Sequence, residues 1–483
     1  MLITERRTGR SGGVVADLVA VAAAVALVLV AALLGWRLLA AGVDLDLPWP
    51  PLLAHWLPHV GPGTPAAVLI AGLVATHGPG LAARLGWRPL LALAYPASVL
   101  WTFSLALVDG WQRGVADRLT TKDEYLHDVP LVHDIPLLLR TFADHILTTA
   151  VDPAQTWFWT THVGAHPPLA FLLFVWLDRL GLGGGGPAGV FVILVGASAC
   201  VAVAVALRAL GAERVARRAL PFGVLLPGAV WVGVSADGLF AAVLAWSVAL
   251  VALGATGAGL RAAVAATAGG VLFGCCLYLS YGLALGVLLP VAVLVHTRAG
   301  RAAVLVGCGV GAVVLAFAAS GFWWFTGYAD VKVIYAASIA ATRPYLYFGL
   351  ADIAAVLFAT GPALVAGLRR AVWAAVSGPA VPFRRAAVPG PAVPPGPAEI
   401  PGPAVPPGPA GRPGPAAMLV GAALAALLLA DLSGMSKGEV ERIWLPFVVW
   451  LVPLAALLDR RRGWLLAQAA LALAVNHLLL TVW

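Results

Sequence analysis

Long apolar runs recur along almost the whole chain, many of them reaching the roughly 18–20 residues that a helix needs to cross a bilayer. Inside lipid such a segment must satisfy its own backbone hydrogen bonds, which leaves helices or closed barrels. The short alternating segments of a barrel are not seen. The expected fold class is therefore all-α, a polytopic transmembrane helical bundle of about 13 spans placed by apolar length and loop charge. Composition agrees: 61% of residues are hydrophobic and only 11% charged, against about 25% charged in an average soluble domain. The net charge of +8 comes from arginines in short loops between spans. They read as topology signals, so membrane lipids and not nucleic acid are the expected surroundings. The first apolar run, about Val14 to Ala41, is too long for a cleavable signal peptide. Cys200, Cys275, Cys276 and Cys308 lie within apolar runs and fit neither a zinc site nor a disulfide framework.

The positive-inside rule threads the chain. Arg6, Arg7 and Arg10 hold the N-terminus in the cytoplasm of a multi-pass cell-membrane protein, and the span from Pro89 to Val108 rises to release Asp109 on the outer face. The apolar stretch after Pro168 meets Asp178 and Arg179 after about ten residues, too few to cross, so it is expected to be interfacial or re-entrant. Keeping it on the outer face sends Arg208, Arg214, Arg217 and Arg218 to the cytoplasm and brings Asp237 out at the end of a span from Leu220 to Val234. A Pro/Gly/Ala repeat from Ser377 to Pro415 reads as a cytoplasmic spacer.

Chemistry is expected where ionisable groups gather. The segment from Val108 to Leu169 holds eight of the 22 acidic residues and five of the 10 histidines. Asp109, at the tip of a span, is a candidate general base, with a solvated interfacial aspartate as the plain alternative. Asp237 stands between two apolar runs, where an ionisable residue is a functional candidate by default, and a turn aspartate otherwise. Arg442, in Ser436-Lys437-Gly438-Glu439-Val440-Glu441-Arg442, offers a planar fork for phosphate oxygens or a structural pair with Glu439 or Glu441. His127, His133, His145, His162 and His166 with Asp128 and Asp134 raise a divalent metal as the less favoured alternative, so no cofactor is assigned. No nucleotide-binding loop or hydrolase elbow is present.

The order of Asp109, Ala165-His166-Pro167-Pro168-Leu169, Asp237 and the late outer segment Ser436 to Trp444 resembles the GT-C superfamily of polytopic glycosyltransferases. That superfamily includes the protein O-mannosyltransferases and the bacterial aminoarabinose and arabinofuranosyl transferases. The resemblance covers roughly Pro89 to Arg261 plus the late segment. It implies a GT-C-like module over 89–376 with a large catalytic outer loop, 109–187, that contains membrane-parallel helices. The extra N-terminal helices occupy 1–88, the linker 377–416 and the C-terminal helices 417–483. It further implies transfer of a sugar from a polyprenyl-phosphate carrier to a glycan, lipid or protein hydroxyl on the extracytoplasmic face, in cell-envelope glycan or glycoconjugate assembly. Asp109 would be the base, with Glu124, Asp128 and Asp134 in reserve. Arg442 would meet the leaving phosphate, backed by Lys437 and Arg343, while Asp237 and His166 position the reactants. Glu439 and Glu441 complete the expected substrate-binding set. A transporter or lipid-linked sugar flippase, and a non-catalytic assembly factor, are the rival expectations.

Overall fold

A computed structural model describes residues 5–376 and 413–482, with side chains from residue 13. The chain is an all-α helical membrane protein, with one two-stranded sheet among the described residues. Among the described residues, eight helices are long and apolar enough to cross a bilayer: Gly13–Ala40, Thr64–Arg84, Trp87–Asp109, Gly185–Ala209, Ala236–Thr256, Gly259–Leu279, Gly300–Ala319 and Pro415–Ser433. The count rises to nine if Tyr345–Thr360 and Pro362–Val376, which meet at 108°, form one span. The Pro/Gly/Ala repeat, up to residue 412, and the side chains of Arg6, Arg7 and Arg10 lie outside the described residues. Cys276 is buried, whereas Cys308 is exposed on an outward helix face.

The other expected spans take different forms, and the reason is local chemistry. The apolar run from Leu220 to Val234 is not one helix. The Glu213–Val224 helix stops before Pro227-Gly228, a short turn follows at Ala229–Val232, and the Gly228 N–H donates to Ala359 O at 3.0 Å. Proline cannot donate to a helix ladder, and here the freed backbone finds a partner on another helix. Leu288–Thr297 and Leu445–Val448 are short helices joined to 3-10 stretches, Tyr281–Val287 and Val449–Leu457. The 18-residue Arg461–Leu478 helix carries Gln468, Asn476 and His477, more polar than a free span tolerates. Pro168–Arg179 is a 12-residue helix, too short to cross, as the sequence leads one to expect.

The sharp bend at residue 361 is stabilised from one side chain. Gly361 has a φ of +77°, and a Cβ there would collide with Gln468 Oε1. Gln468, fully buried, accepts from the Ala363 N–H at 3.1 Å and donates to Thr360 O at 2.9 Å. One amide thus satisfies both backbone groups that the bend exposes.

Polar contacts sort the bundle into two ends. At one, Arg217 donates to Ala82 O and Leu85 O at 3.0 and 2.8 Å, capping the Thr64–Arg84 helix, and Arg370 joins Asp17, Leu457 O and Asp459. Arginines on helix C-terminal carbonyls are favourable for both hydrogen bonding and the helix dipole. At the other end, strand Ala54–Trp56 pairs antiparallel with Leu479–Thr481. There the first interhelical loop lies on the tip of the Trp87–Asp109 helix, with Gly63 N–H donating to Leu107 O at 3.0 Å. A Cβ at Gly61 or Gly63 would strike the backbone of Val108 or Ser104, so this contact requires glycine.

Candidate functional site

The strand-bearing end holds a buried polar cluster built from three separate parts of the chain. Ser235 is extended at the N-cap of the Ala236–Thr256 helix and places Asp237 in the first turn, where the helix dipole favours a carboxylate. Gly438 at φ +90° and Glu439 at φ +63° turn the late loop sharply into the short helix Val440–Ile443, which carries Arg442. The left-handed conformation of Glu439 is strained for a residue with a side chain. Its consequence is that Arg442 points back at the cluster. Arg442 Nη1 donates to Asp237 Oδ2 at 2.6 Å, while Nη2 reaches Glu439 and His162 Nε2, the latter at 3.0 Å. Asp237 and Arg442 are about 4–5% exposed, so both charges are held out of water by each other.

The segment from residue 110 to 167, between two of the long helices, supplies the remaining members. His162 Nδ1 donates to Asp123 O at 2.8 Å, which leaves Nε2 as the bare nitrogen that accepts from Arg442. Glu124 Oε1 lies 3.4 Å from the same Nδ1. His166 Nδ1 donates to His162 O at 2.8 Å, and Tyr125 packs between His162, His166 and Phe174. The loop is sewn shut by Thr160 N–H on Asp128 Oδ2 and by Thr161 Oγ1 on Asp123 Oδ1.

These contacts set the protonation states. Burial drives the Glu124 carboxyl up to about 7, despite the opposing pull of Arg442. Burial, then the neighbouring Arg442 and His166, push the His162 imidazole down to about 3, so it stays neutral. His166 is also lowered, chiefly by burial. Burial alone would lower the Arg442 guanidinium, but Glu439, Asp237 and Glu124 outweigh it and hold the charge in place. The result is a buried cation beside a carboxyl whose proton is held up to near neutral pH.

The sequence expectations divide accordingly. Asp237, Arg442, Glu439 and His166 come together. Asp109 does not join them. It sits 3.0 Å from His59 Nε2, and its two oxygens accept from Arg113 and Arg118 at 2.9 Å each. Arg118 also donates to Thr481 O. Asp109 is thus engaged by three basic side chains away from Arg442, whereas Glu124 lies at the cluster itself. Lys437 and Arg343 form a brace beside the cluster: Lys437 Nζ donates to Ala340 O and Arg343 O, and Arg343 donates to Leu45 O, Lys437 O and Asp46. Glu441 is buried behind Arg442, its Oε2 without a hydrogen-bond partner, and burial raises it to about 8. Of the reserves, Asp128 is committed to Thr160, and Asp134 caps the helix Ile135–Thr141.

Sequence reasoning offers His162 only as a possible metal ligand and Glu124 only as a reserve base, and misses their place beside Arg442. A signal existed: His162-Val163-Gly164-Ala165-His166 spaces two histidines four apart, and their rings lie 6.3 Å apart in near-parallel planes. Among the described residues, no three His, Cys, Asp or Glu side chains are grouped so as to hold a metal ion. His127 and His133 are exposed, and His145 packs on Trp157. Comparison with protein-family models, curated proteins and solved structures finds no match to this chain.

Proposed function

We propose that this chain is a membrane glycosyltransferase of GT-C-like design, moving a sugar from a polyprenyl-phosphate carrier to an acceptor hydroxyl. In this reading the strand-bearing end is extracytoplasmic, the arginine-bearing end and the N-terminus are cytoplasmic, and the cell membrane is the site of action. The observation that carries the proposal is the convergence of Glu124 and His162 from the outer loop, Asp237 from a helix tip, and Arg442 from the late loop on one buried centre.

The acceptor oxygen attacks the anomeric carbon, and its proton passes to Glu124. The bond from the anomeric carbon to the phosphate oxygen breaks, and the electron pair leaves with the polyprenyl phosphate. Arg442 faces that developing charge. Its fork is occupied by Asp237 and Glu439, and Glu439 is the more exposed of the two carboxylates, with 20% of its side chain accessible against 6% for Asp237. The donor phosphate therefore takes the place that Glu439 holds, while Asp237 and neutral His162 keep the guanidinium aimed. Asp109 orders the loop around it. His166 and Tyr125 form the wall against which the reactants pack.

One observation favours the rival transporter or flippase: a helix pair broken by 108° is the kind of element transporters use to bind cargo. The break at Gly361 is, however, filled by the uncharged Gln468 and offers no ionised group. Purified protein in nanodiscs, given radiolabelled polyprenyl-phosphate hexoses and pentoses with short glycan acceptors, decides the matter. Transfer or donor hydrolysis that is lost in Arg442→Gln is expected. Absence of both across the donor panel, with labelled carrier crossing the bilayer of sealed proteoliposomes, would establish the rival.

A further inference from the structure

The loop between the first two spanning helices precedes the region that resembles a known family, yet it touches both polar clusters. Its His59 meets Asp109, while Leu45 O and Asp46 accept from Arg343, which in turn holds Lys437 O. Asp46 lies within electrostatic reach of Glu439. At the rim, this loop presents an aromatic stack. The Trp49 and Trp56 rings are 5.2 Å apart at 23°, and Trp36 meets Trp49 edge-on at 5.5 Å. The stack is rigid at its base: Leu52 N–H donates to Trp49 O at 2.8 Å, and Trp56 is fixed in the strand opposite Leu479. Its outer surface is open, with Trp56 52% and Trp36 43% exposed.

Exposed tryptophans near a membrane surface commonly anchor a protein among lipid headgroups. Charge argues against that here. Residues 43–58 contain no Lys or Arg; beside His55 their ionisable groups are Asp44 and Asp46, both exposed, with Asp46 paired to Arg343 and Asp44 facing no cation among the described residues. Such a surface offers anionic headgroups little attraction, whereas a carboxylate is an acceptor-only group suited to hydroxyl donors. A sugar ring offers what this surface lacks: an apolar C–H face to lie on indole, and hydroxyls at its edge for carboxylates. Rigid aromatic side chains give such contact area at low entropic cost.

We propose that the Trp49–Trp56 stack, with Trp36 behind it and Asp44 and Asp46 beside it, is a carbohydrate subsite that seats an uncharged ring of the acceptor glycan. The acceptor assignment rests on the glycosyl-transfer reading; sugar binding itself does not. Bound there, an oligosaccharide lies against the loop that joins the Asp109 and Arg442 clusters.

Full-length protein in zwitterionic nanodiscs is titrated with maltotriose, a mannotriose and an arabinofuranotriose, with saturation-transfer NMR reading the sugar ring protons. At least one trisaccharide is expected to bind, with affinity falling tenfold or more in Trp56→Ala, mostly retained in Trp56→Phe, and unchanged in Trp323→Ala, an exposed tryptophan elsewhere. Absence of binding by every probe overturns the subsite. So does a sugar affinity that ignores Trp56→Ala, or a Trp56→Ala effect confined to membrane anchoring. Should Trp56→Ala fail to fold, Trp36→Ala and Asp46→Asn carry the test: a lowered affinity in either supports the subsite, and wild-type affinity in both overturns it. Sugar binding without any transfer sinks only the enzymatic reading; transfer without Trp56-dependent binding sinks only the subsite.

Discussion

Replacing Glu124 by Gln separates the two candidate bases, because the structure assigns Glu124 and Asp109 opposite consequences. Glu124 is buried and raised to about 7 from an ordinary 4.5. The folded state therefore binds its proton more tightly than the unfolded chain does. Wild-type stability falls as pH rises from about 4.5 to about 7 and then levels off. That gap amounts to about 3 kcal/mol at the plateau, at 1.36 kcal/mol per tenfold. Glu124→Gln abolishes the fall, so the variant is expected to match wild type at pH 4.5 and exceed it by up to about 3 kcal/mol at pH 8. Turnover moves the other way. Loss of a general base slows the chemical step about 10²–10⁴-fold, equivalent to about 3–5 kcal/mol in the barrier. Wild-type turnover should rise through a pH near 7 as the carboxyl ionises, and the variant should be flat. Asp109→Asn reverses the pattern. It leaves Arg118, 7% exposed, without its charged partner and costs stability on the order of 3 kcal/mol. The half-exposed Arg113 adds little, since surface pairs are worth about 0–1 kcal/mol. Heating in nanodiscs at pH 4.5, 7 and 8, followed by tryptophan fluorescence, with turnover on the same samples, reads both. Full activity in Glu124→Gln, or inactivity in an Asp109→Asn protein of wild-type stability, refutes the reassignment.

Three more outcomes follow from particular contacts. Gln468→Leu strands Thr360 O and the Ala363 N–H in the interior, at about 1–3 kcal/mol each, and should lower the thermal midpoint clearly; an unchanged midpoint would mean the bend does not depend on that amide. Glu439→Gln removes the anion that competes with the donor phosphate for Arg442, so KM for the carrier should fall about tenfold; a higher KM would show that Glu439 binds substrate instead. In a background without the four native cysteines, a single cysteine at Asp46 should react with an impermeant thiol reagent on intact cells and one at Arg208 only after permeabilisation, and labelling of Arg208→Cys on intact cells would undo the proposed orientation.

The long apolar helices were legible because bilayer thickness fixes their length, and Asp237 and Arg442 because an ionised residue at the edge of an apolar run is conspicuous in a chain so poor in charge. The broken run at Leu220–Val234 was hidden by uniform hydrophobicity, although Pro227-Gly228 marked it. The surroundings of Asp109 are less legible. One partner, Arg113, stands four residues away in plain view, but His59 comes from a preceding loop that folds over the helix tip, and Arg118 is held there by Thr481 O. Glu124 and His162 look like ordinary loop residues until Arg442, 280 positions beyond His162, arrives between them and Asp237.

The pairing of Ala54–Trp56 with Leu479–Thr481 bears on the order in which the protein is made. A ribosome delivers the first strand early and the second only after every intervening span has been inserted. Until then His59 lacks the His477 carbonyl that holds its backbone, and Arg118 lacks Thr481 O. The surroundings of Asp109 are thus completed only when residues 479–481 meet the loop after Ala40. A chain stalled before that point carries all of its early loop residues and still lacks this end of the bundle, so closure of this small sheet records that translation and insertion reached residue 481.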